Sequence, residues 1–415
     1  MQRRVVVTGV GAVSPCGNTM ERTFDSLIAG RSGIARFAGI DTTDLKTTFG
    51  GECTDFDPSP WWNTTDLRRH GRFTHLSVAA STMAVEAAGL DTSEDGDRGG
   101  VFIGVALGGL PEIIESQATL DERGARRVSP FFILRAAPNI AAGEVAIRYG
   151  LRGASFATAS ACASGTHAIG EAFRAVRDGR VDYAIAGGSE AVITRLAIAG
   201  FNSMRALSVQ NETPERASRP FDRARDGFVL AEGAASLILE EAERAKRRGA
   251  PILAELRGYG ASTDALHATK PPDDGRGLAA AMSEALRDGA INASEVDYVN
   301  PHATSTPAGD DAEAAAILGV FGDRARSGLL VSGTKSMTGH LLGASGALEA
   351  AITIYTIVRG EVPPTLNLED PEGAAAELDL VADGARRQPV RLALSNSTGF
   401  GGHNASLAFG DPSLR

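Results

Sequence analysis

Cysteine is scarce in this chain, with only Cys16, Cys53 and Cys162 among 415 residues. Three thiols cannot make a disulfide framework, so a reduced, cytoplasmic protein is expected. Positive charge is in deficit as well: 41 Lys and Arg against 51 Asp and Glu leave a formal charge of −10. An acidic surface argues against nucleic acid or an anionic membrane as the main partner. No run of roughly 18 apolar residues goes uninterrupted, which excludes a transmembrane helix. Proline and glycine together are 18 + 49 = 67 of 415, too few for low-complexity disorder. The opening Met1-Gln2-Arg3-Arg4 followed by Val5 to Val13 has the outline of a short signal peptide. It reads better as a buried first strand, because Gly9 and Gly11 interrupt any apolar helix.

What is present is enough apolar sequence for a large core: 43% of residues are hydrophobic. At ~150 residues per domain the length suggests two or three units. Short β-rich runs alternate with helical patterns. The strands are expected at Val5–Gly9, Val101–Ala106, Asp182–Gly187, Ala235–Glu240, Val296–Asn300, Leu329–Ser332, Arg391–Asn396 and Ala405–Gly410. Helical stretches include Thr74–Ala88, Ser164–Asp178, Gly277–Asp288, Asp310–Leu318 and Ser345–Arg359. This alternation predicts a layered α/β architecture. The one candidate boundary is the basic segment Lys246-Arg247-Arg248-Gly249, giving halves 1–250 and 251–415.

The halves echo one another. Val5–Gly11 resembles Ala254–Gly260, offset by 249; Ala163-Ser164-Gly165 resembles Ala344-Ser345-Gly346, offset by 181; Ala235–Leu239 resembles Ala405–Phe409, offset by 170. Offsets that shrink along the chain are those of a duplication whose first copy carries insertions. Two such halves would place an active site where their loops meet.

Four segments carry chemistry. In Thr158-Ala159-Ser160-Ala161-Cys162-Ala163-Ser164-Gly165, the cysteine sits where a strand-like segment turns into a helix. A helix terminus worth up to ~2 kcal/mol would bring a thiol from pKa ~8.5 to about 7, roughly half ionised at neutral pH. A buried structural cysteine is the alternative. In Asp297-Tyr298-Val299-Asn300-Pro301-His302-Ala303-Thr304-Ser305-Thr306-Pro307, a histidine stands at the tip of a strand, where open α/β sheets place ligands. In Ser332-Gly333-Thr334-Lys335-Ser336-Met337-Thr338-Gly339-His340, a lysine and a histidine share one loop. An ammonium there would hold both imidazoles neutral, and neutral imidazoles still donate N–H bonds to an oxyanion. Lys335 needs an anchor, and Glu313, on the helix after His302, is the candidate. In Ser397-Thr398-Gly399-Phe400-Gly401-Gly402-His403-Asn404, glycines surround one aromatic, so Phe400 reads as a hinged gate or as a core residue in a strand connection.

Together these segments resemble the elongating β-ketoacyl-acyl carrier protein synthases, condensing enzymes of thiolase-like fold. The resemblance runs from Val5 through Phe409 and extends to Arg219-Pro220-Phe221-Asp222, Arg225-Asp226-Gly227-Phe228 and Pro363-Pro364-Thr365-Leu366-Asn367. It implies an αβαβα arrangement of two duplicated halves and a decarboxylative Claisen condensation. Malonyl-acyl carrier protein would react with an acyl group held on Cys162. The resemblance makes His302 and His340 the groups that polarise the malonyl thioester, with Lys335 and Glu313 ordering the site. Backbone N–H groups of Cys162 and Phe400 would form an oxyanion hole, with Thr398 beside the Phe400 gate. Thr304 and Thr306 would meet the phosphopantetheine arm, and Leu107 and Phe201 would line an acyl pocket.

The partner implied is an acyl carrier protein, received by Arg68, Arg69, Arg72, Arg126, Arg127 and Arg205, and a homodimer is expected. The resemblance implies no metal and no cofactor beyond the carrier's phosphopantetheine. Two departures stand out: Thr398 replaces a usual Phe and Pro301 a usual Ala. A coenzyme A thiolase would need a second cysteine in the C-terminal half, and the initiating type of condensing enzyme would have Asn at His340. A non-catalytic chain-length partner subunit, the alternative of a different class, would lack Cys162.

Overall fold

The computed structural model describes residues 3–93 and 95–414; Met1 and Gln2 of the signal-like opening lie outside them. Among the described residues, eleven strands make one continuous sheet. They are β1 (Val5–Val13), β2 (Gly99–Gly104), β3 (Ser155–Thr158), β4 (Tyr183–Glu190), β5 (Gly233–Glu241), β6 (Ala254–Thr263), β7 (Tyr298–Asn300), β8 (Leu330–Val331), β9 (Asp379–Leu380), β10 (Leu392–Gly399) and β11 (His403–Gly410). Their order across the sheet is β9-β8-β7-β10-β11-β6-β1-β5-β4-β2-β3. Strands β1, β2 and β4 are buried along their whole length, which is why they read as near-continuous apolar runs.

The seam lies between β1 and β6, which pair antiparallel only through Val5–Val7 against Ala254–Leu256. Outward from it each half repeats the same plan, two antiparallel pairings followed by two parallel ones. β9 extends the second half alone. The register repeats too: Gly11 faces Ser236 in the first half and Gly260 faces Ser406 in the second. These pairs are related by the offsets of 249 and 170 seen in the sequence.

Six helices complete the layers: α1 (Arg72–Ala88), α2 (Ile140–Tyr149), α3 (Ser164–Arg177), α4 (Arg276–Asp288), α5 (Pro307–Phe321) and α6 (Ser345–Arg359). α1 and α2 cover the outer face of the first half, α4 and α5 that of the second. α3 and α6 pack on each other and on strands of both halves, forming the central layer. Three apolar clusters follow this layering. The central one joins Ile169, Phe173, Leu348 and Ile352 to Leu237 and Leu407. The outer two lie beneath α1–α2 and α4–α5. The halves therefore do not meet directly face to face; they clamp a helical layer whose N-termini carry the loops of the site. No helix among the described residues is long and apolar enough to cross a membrane.

The glycine pairs of β1 and β6 have a packing cause. A Cβ on Gly9 or Gly11 would collide with the carbonyls of Ala84 or Ala80 in α1, and one on Gly258 or Gly260 with those of Ala285 or Ala281 in α4. Each outer helix rests directly on backbone at the same relative place. Gly11→Ala and Gly260→Ala are each expected to cost about 1–3 kcal/mol through overpacking. Gly319→Ala, in α5 with open space around it, should gain about 0.5–1 kcal/mol. Midpoints of chemical denaturation check both signs.

Candidate active site

The first segment of the site is a tight turn between β3 and α3. Ala161 adopts left-handed backbone at φ 50°, unfavourable for a residue with a Cβ, and Ser164 stitches the turn closed. Its hydroxyl donates to the Ala161 carbonyl at 2.6 Å and accepts from the Ser160 N–H at 2.9 Å, while Thr158 Oγ1 donates to the Ser164 carbonyl at 2.8 Å. The turn sets Cys162, half-buried, just ahead of α3. The N–H groups of Phe400 and of Cys162 itself are aimed at the sulfur. Gly399 permits that approach, since a Cβ there would stand 2.7 Å from the Ser160 carbonyl and 3.1 Å from the Cys162 nitrogen.

The expected half-ionised thiol is corrected by the structure. Burial pushes the Cys162 thiol up to about 12, against the opposing pull of the Lys335 ammonium and the two N–H groups. The field of a helix end falls off within its first turn, and it does not outweigh the loss of solvent.

His302 follows β7 at a bend where Ala303 and Ser305 have φ of 28° and 70°. Glu313, buried on α5, holds this bend by accepting from the His302 N–H at 2.9 Å and the Ala303 N–H at 2.7 Å. His340 Nδ1 is 2.8 Å from Ser345 Oγ at the start of α6. The two rings stand 5.2 Å apart and nearly perpendicular. One ligating atom from each of Cys162, His302 and His340 lies within 4.8 Å of the others. Both histidines are held well below the ordinary imidazole range, first by burial and then by the Lys335 ammonium. The neutral rings expected from the sequence are thus present, with burial ahead of the lysine as the cause.

The anchor of Lys335 is a second correction. Its ammonium pairs with Glu349 and donates to the His302 carbonyl at 2.5 Å, whereas Glu313 is occupied by the backbone of the His302 bend. Both partners of the Lys335–Glu349 pair are buried, and burial pushes the Glu349 carboxyl up to about 7 against the pull of Lys335. The sequence signal for Glu349 was a lone carboxylate within the apolar run of α6, at the position where a helix turn from Ser345 faces the same side.

A cavity of about 650 Å³ opens above the sulfur and the rings. Thr304 and Thr306, with hydroxyls 3.0 Å apart, line one side. Leu107, 44% exposed, and Phe201, set edge-on to Phe228, line another. Thr398 and Phe400, the latter 37% exposed, line the same cavity as the sulfur. Arg205 is exposed at the rim. Arg68, Arg69, Arg126 and Arg127 are exposed outside the cavity. Arg69 lies 5.4 Å over the Phe131 ring, which brings the two arginine segments together. Arg72 is corrected: its guanidinium is paired with Glu232 at 2.6 and 2.8 Å and also holds the Cys53 carbonyl.

Glu190, at the end of β4, escaped the sequence reading. Fully buried, it accepts from the N–H groups of Ala106, Leu107, Gly108 and Gly343 at 2.8–3.2 Å. One carboxylate thereby ties the cavity wall at Leu107 to the turn after His340. A charged residue closing an otherwise apolar strand was the available signal.

Comparison with known proteins agrees with this geometry. Residues 2–245 match the family model described as beta-ketoacyl synthase, N-terminal domain, and residues 253–369 the corresponding C-terminal domain. A 3-oxoacyl-[acyl-carrier-protein] synthase 2 of Vibrio harveyi is 47% identical over 409 residues, covering 98% of each chain. A beta-ketoacyl synthase from Burkholderia phymatum aligns over 100% of both chains with a TM-score of 0.90 and 36% identity. A type II polyketide ketosynthase, bound to the hexaketide and in complex with its acyl carrier protein, aligns over 99% of both with a TM-score of 0.88 and 33% identity.

Rings whose proton affinity lies well below ~6.5 stay neutral as pH falls through that value. A pH titration of the ring C–H resonances should show neither His302 nor His340 gaining a proton between pH 8 and about 6. Titration of either at or above the ordinary value contradicts the burial argument.

Proposed function

We propose, for a chain that belongs to the β-ketoacyl synthase family, that Cys162 carries the acyl chain and that His302 and His340 act together on the malonyl thioester. The chain is a β-ketoacyl-acyl carrier protein synthase of the elongating type, and its reaction is decarboxylative Claisen condensation of malonyl-acyl carrier protein with a bound acyl group. The observation that carries the assignment of roles is the meeting of one sulfur and two neutral imidazoles within 4.8 Å, beneath a single cavity.

In the loading step, the Cys162 sulfur attacks the thioester carbonyl of an acyl carrier. The carbonyl oxygen, as it gains charge, takes up the N–H groups of Cys162 and Phe400, donors that already converge beside the sulfur. The proton of the thiol leaves with the pantetheine sulfur. Malonyl-carrier then enters, its arm against the Thr304 and Thr306 hydroxyls. With the Ser345 hydroxyl donating to His340 Nδ1, the remaining proton of that ring sits on Nε2, aimed at the cavity. His340 and His302 donate to the malonyl thioester oxygen, which becomes the enolate oxygen when carbon dioxide departs. Neutral donors stabilise this charge without transferring a proton that would quench the carbanion. The enolate carbon attacks the acyl carbonyl, the carbon–sulfur bond to Cys162 breaks, and the sulfur regains a proton from solvent. Loss of carbon dioxide drives the step, so the chemistry calls for no metal or redox cofactor. Burial of the triad keeps water from the thioester.

Phe400 and Thr398 cover the sulfur as a gate, and Leu107 and Phe201 shape the acyl pocket. The first half, 1–250, supplies the nucleophile, and the second, 251–415, the histidines, the lysine and the gate. Arg68, Arg69, Arg126, Arg127 and Arg205 receive the acidic carrier protein. A second copy of the chain is the expected partner at β3, one of the two edge strands of the sheet, which carries the exposed Phe156. Such an edge is a template for strand pairing. Three unpaired thiols suit the reducing cytoplasm.

Incubation with malonyl-carrier and acyl-carriers of graded length should release carbon dioxide and give products two carbons longer. In Cys162→Ala, acyl transfer should vanish while decarboxylation of malonyl-carrier persists. In His302→Ala or His340→Ala, Cys162 should still acylate while decarboxylation falls about 10²–10³-fold, the usual loss for one preformed donor. No condensation with any length favours the chain-length-partner reading. Charge reversal at Arg126 and Arg127 should raise the carrier KM and its salt dependence with kcat little changed; an unchanged KM removes these residues from the docking surface.

A further inference from the structure

The same three side chains have a second chemistry. A thiol and two neutral imidazoles are the donor set of a borderline-soft transition metal, and are poorly suited to magnesium or calcium, which take oxygen ligands. Three protein ligands with a fourth position open to a cavity is also the arrangement of an accessible zinc site. We propose that Cys162, His302 and His340 bind one zinc ion, the fourth position being left to water or a ligand in the cavity, and that zinc reversibly switches off the unacylated enzyme. The binding stands on geometry alone; the switch rests on the function proposed above.

Tetrahedral zinc at ~2.3 Å from sulfur and ~2.0–2.1 Å from nitrogen puts its ligand atoms about 3.3–3.6 Å apart. The three atoms already lie within 4.8 Å, so the site must contract by at most about 1.5 Å. Cys162 lines the open cavity, so rotation of its side chain is one route to that contraction. The Ser345 hydroxyl at 2.8 Å from His340 Nδ1 can accept as readily as donate. It therefore orients the ring for metal through Nε2, the outer-shell arrangement typical of ligating histidines. The buried charges around the triad are one ammonium, Lys335, and three carboxyl groups, Glu349, Glu313 and Glu190. On binding, the S–H bond breaks, the proton goes to solvent and a Zn–S bond forms, with no change of oxidation state. The sulfur can then no longer attack a thioester, and neither histidine can present an N–H. An acyl group on Cys162 removes the sulfur ligand, so zinc and acyl chain exclude one another.

Cobalt(II) is the spectroscopic probe. Titrated into the metal-free full-length protein, it should give a thiolate-to-cobalt band in the near ultraviolet and the visible bands of a four-coordinate ion, saturating at one ion per chain, released by zinc. The thiolate band should be absent in Cys162→Ala and after alkylation of Cys162. It should be retained in Cys16→Ala, because Cys16 lies in a different cavity with Cys53. Ser345→Ala should keep the band and weaken cobalt binding about 10–100-fold. Zinc should block loading of free enzyme, and prior acylation of Cys162 should protect it. No thiolate band, or one that survives Cys162→Ala, overturns the site. A band with condensation untouched by zinc overturns the switch alone, whereas a metal-free enzyme that never condenses overturns the functional reading and leaves the cobalt result standing.

Discussion

One buried ammonium organises the chemistry of this protein. Lys335 is taken out of water by the surrounding layers, and its partners are Glu349 from the central helix α6 and the carbonyl of His302. Removing one partner of such a buried pair costs ~3–5 kcal/mol, because the survivor is left charged and unpaired. The pair therefore fixes α6 against the loop that bears His302, and the positive charge helps keep both imidazoles unprotonated. Their donors are ready before an enolate forms, the condition under which electrostatic stabilisation is most effective.

The same burial that makes the histidines good donors makes the sulfur a reluctant thiolate. Desolvation penalises the charged form of each: it lowers the histidines and raises Cys162. A protonated thiol is guarded from adventitious reaction, and in the proposed mechanism it ionises as the carbonyl it attacks is drawn against the N–H groups of Phe400 and Cys162. The price is a site that must be held by backbone and by second-line carboxylates. Glu313 grips the His302 bend, Glu190 grips the cavity wall and the turn after His340, and Ser164 closes the nucleophile turn. All three act on backbone N–H or carbonyl groups, so their influence on the reacting atoms is positional.

Duplication explains why these parts converge. Each half directs one central helix toward the middle of the molecule, α3 beginning just after Cys162 and α6 just after His340. Gly165 and Gly346 let the starts of the two helices approach closely, the first beside Gly343 and Ala347 and the second beside Thr166. Corresponding loops of the two halves, each leading into a central helix, thus hold different residues: Cys162 in the first, and His340 with Lys335 in the second.

The sequence alone determined the strand and helix alternation and the repeat, and brought Cys162, His302, Lys335, His340 and Phe400 forward as candidates, because periodicity, internal offsets and motif spacing are local properties. It also placed the glycines of β1 and β6 in equivalent positions without showing that helix backbone lies on them. Which carboxylate meets Lys335 was decided only in three dimensions: the oxygens of Glu313 face the backbone of the His302 bend, while Glu349 reaches the ammonium from α6. Arg72 looked like part of a free basic cluster until Glu232, 160 positions away, was found to hold it. Burial likewise raises the Cys162 thiol; it is a property of the packed molecule that no run of residues carries, and it opposes the helix terminus visible in the sequence.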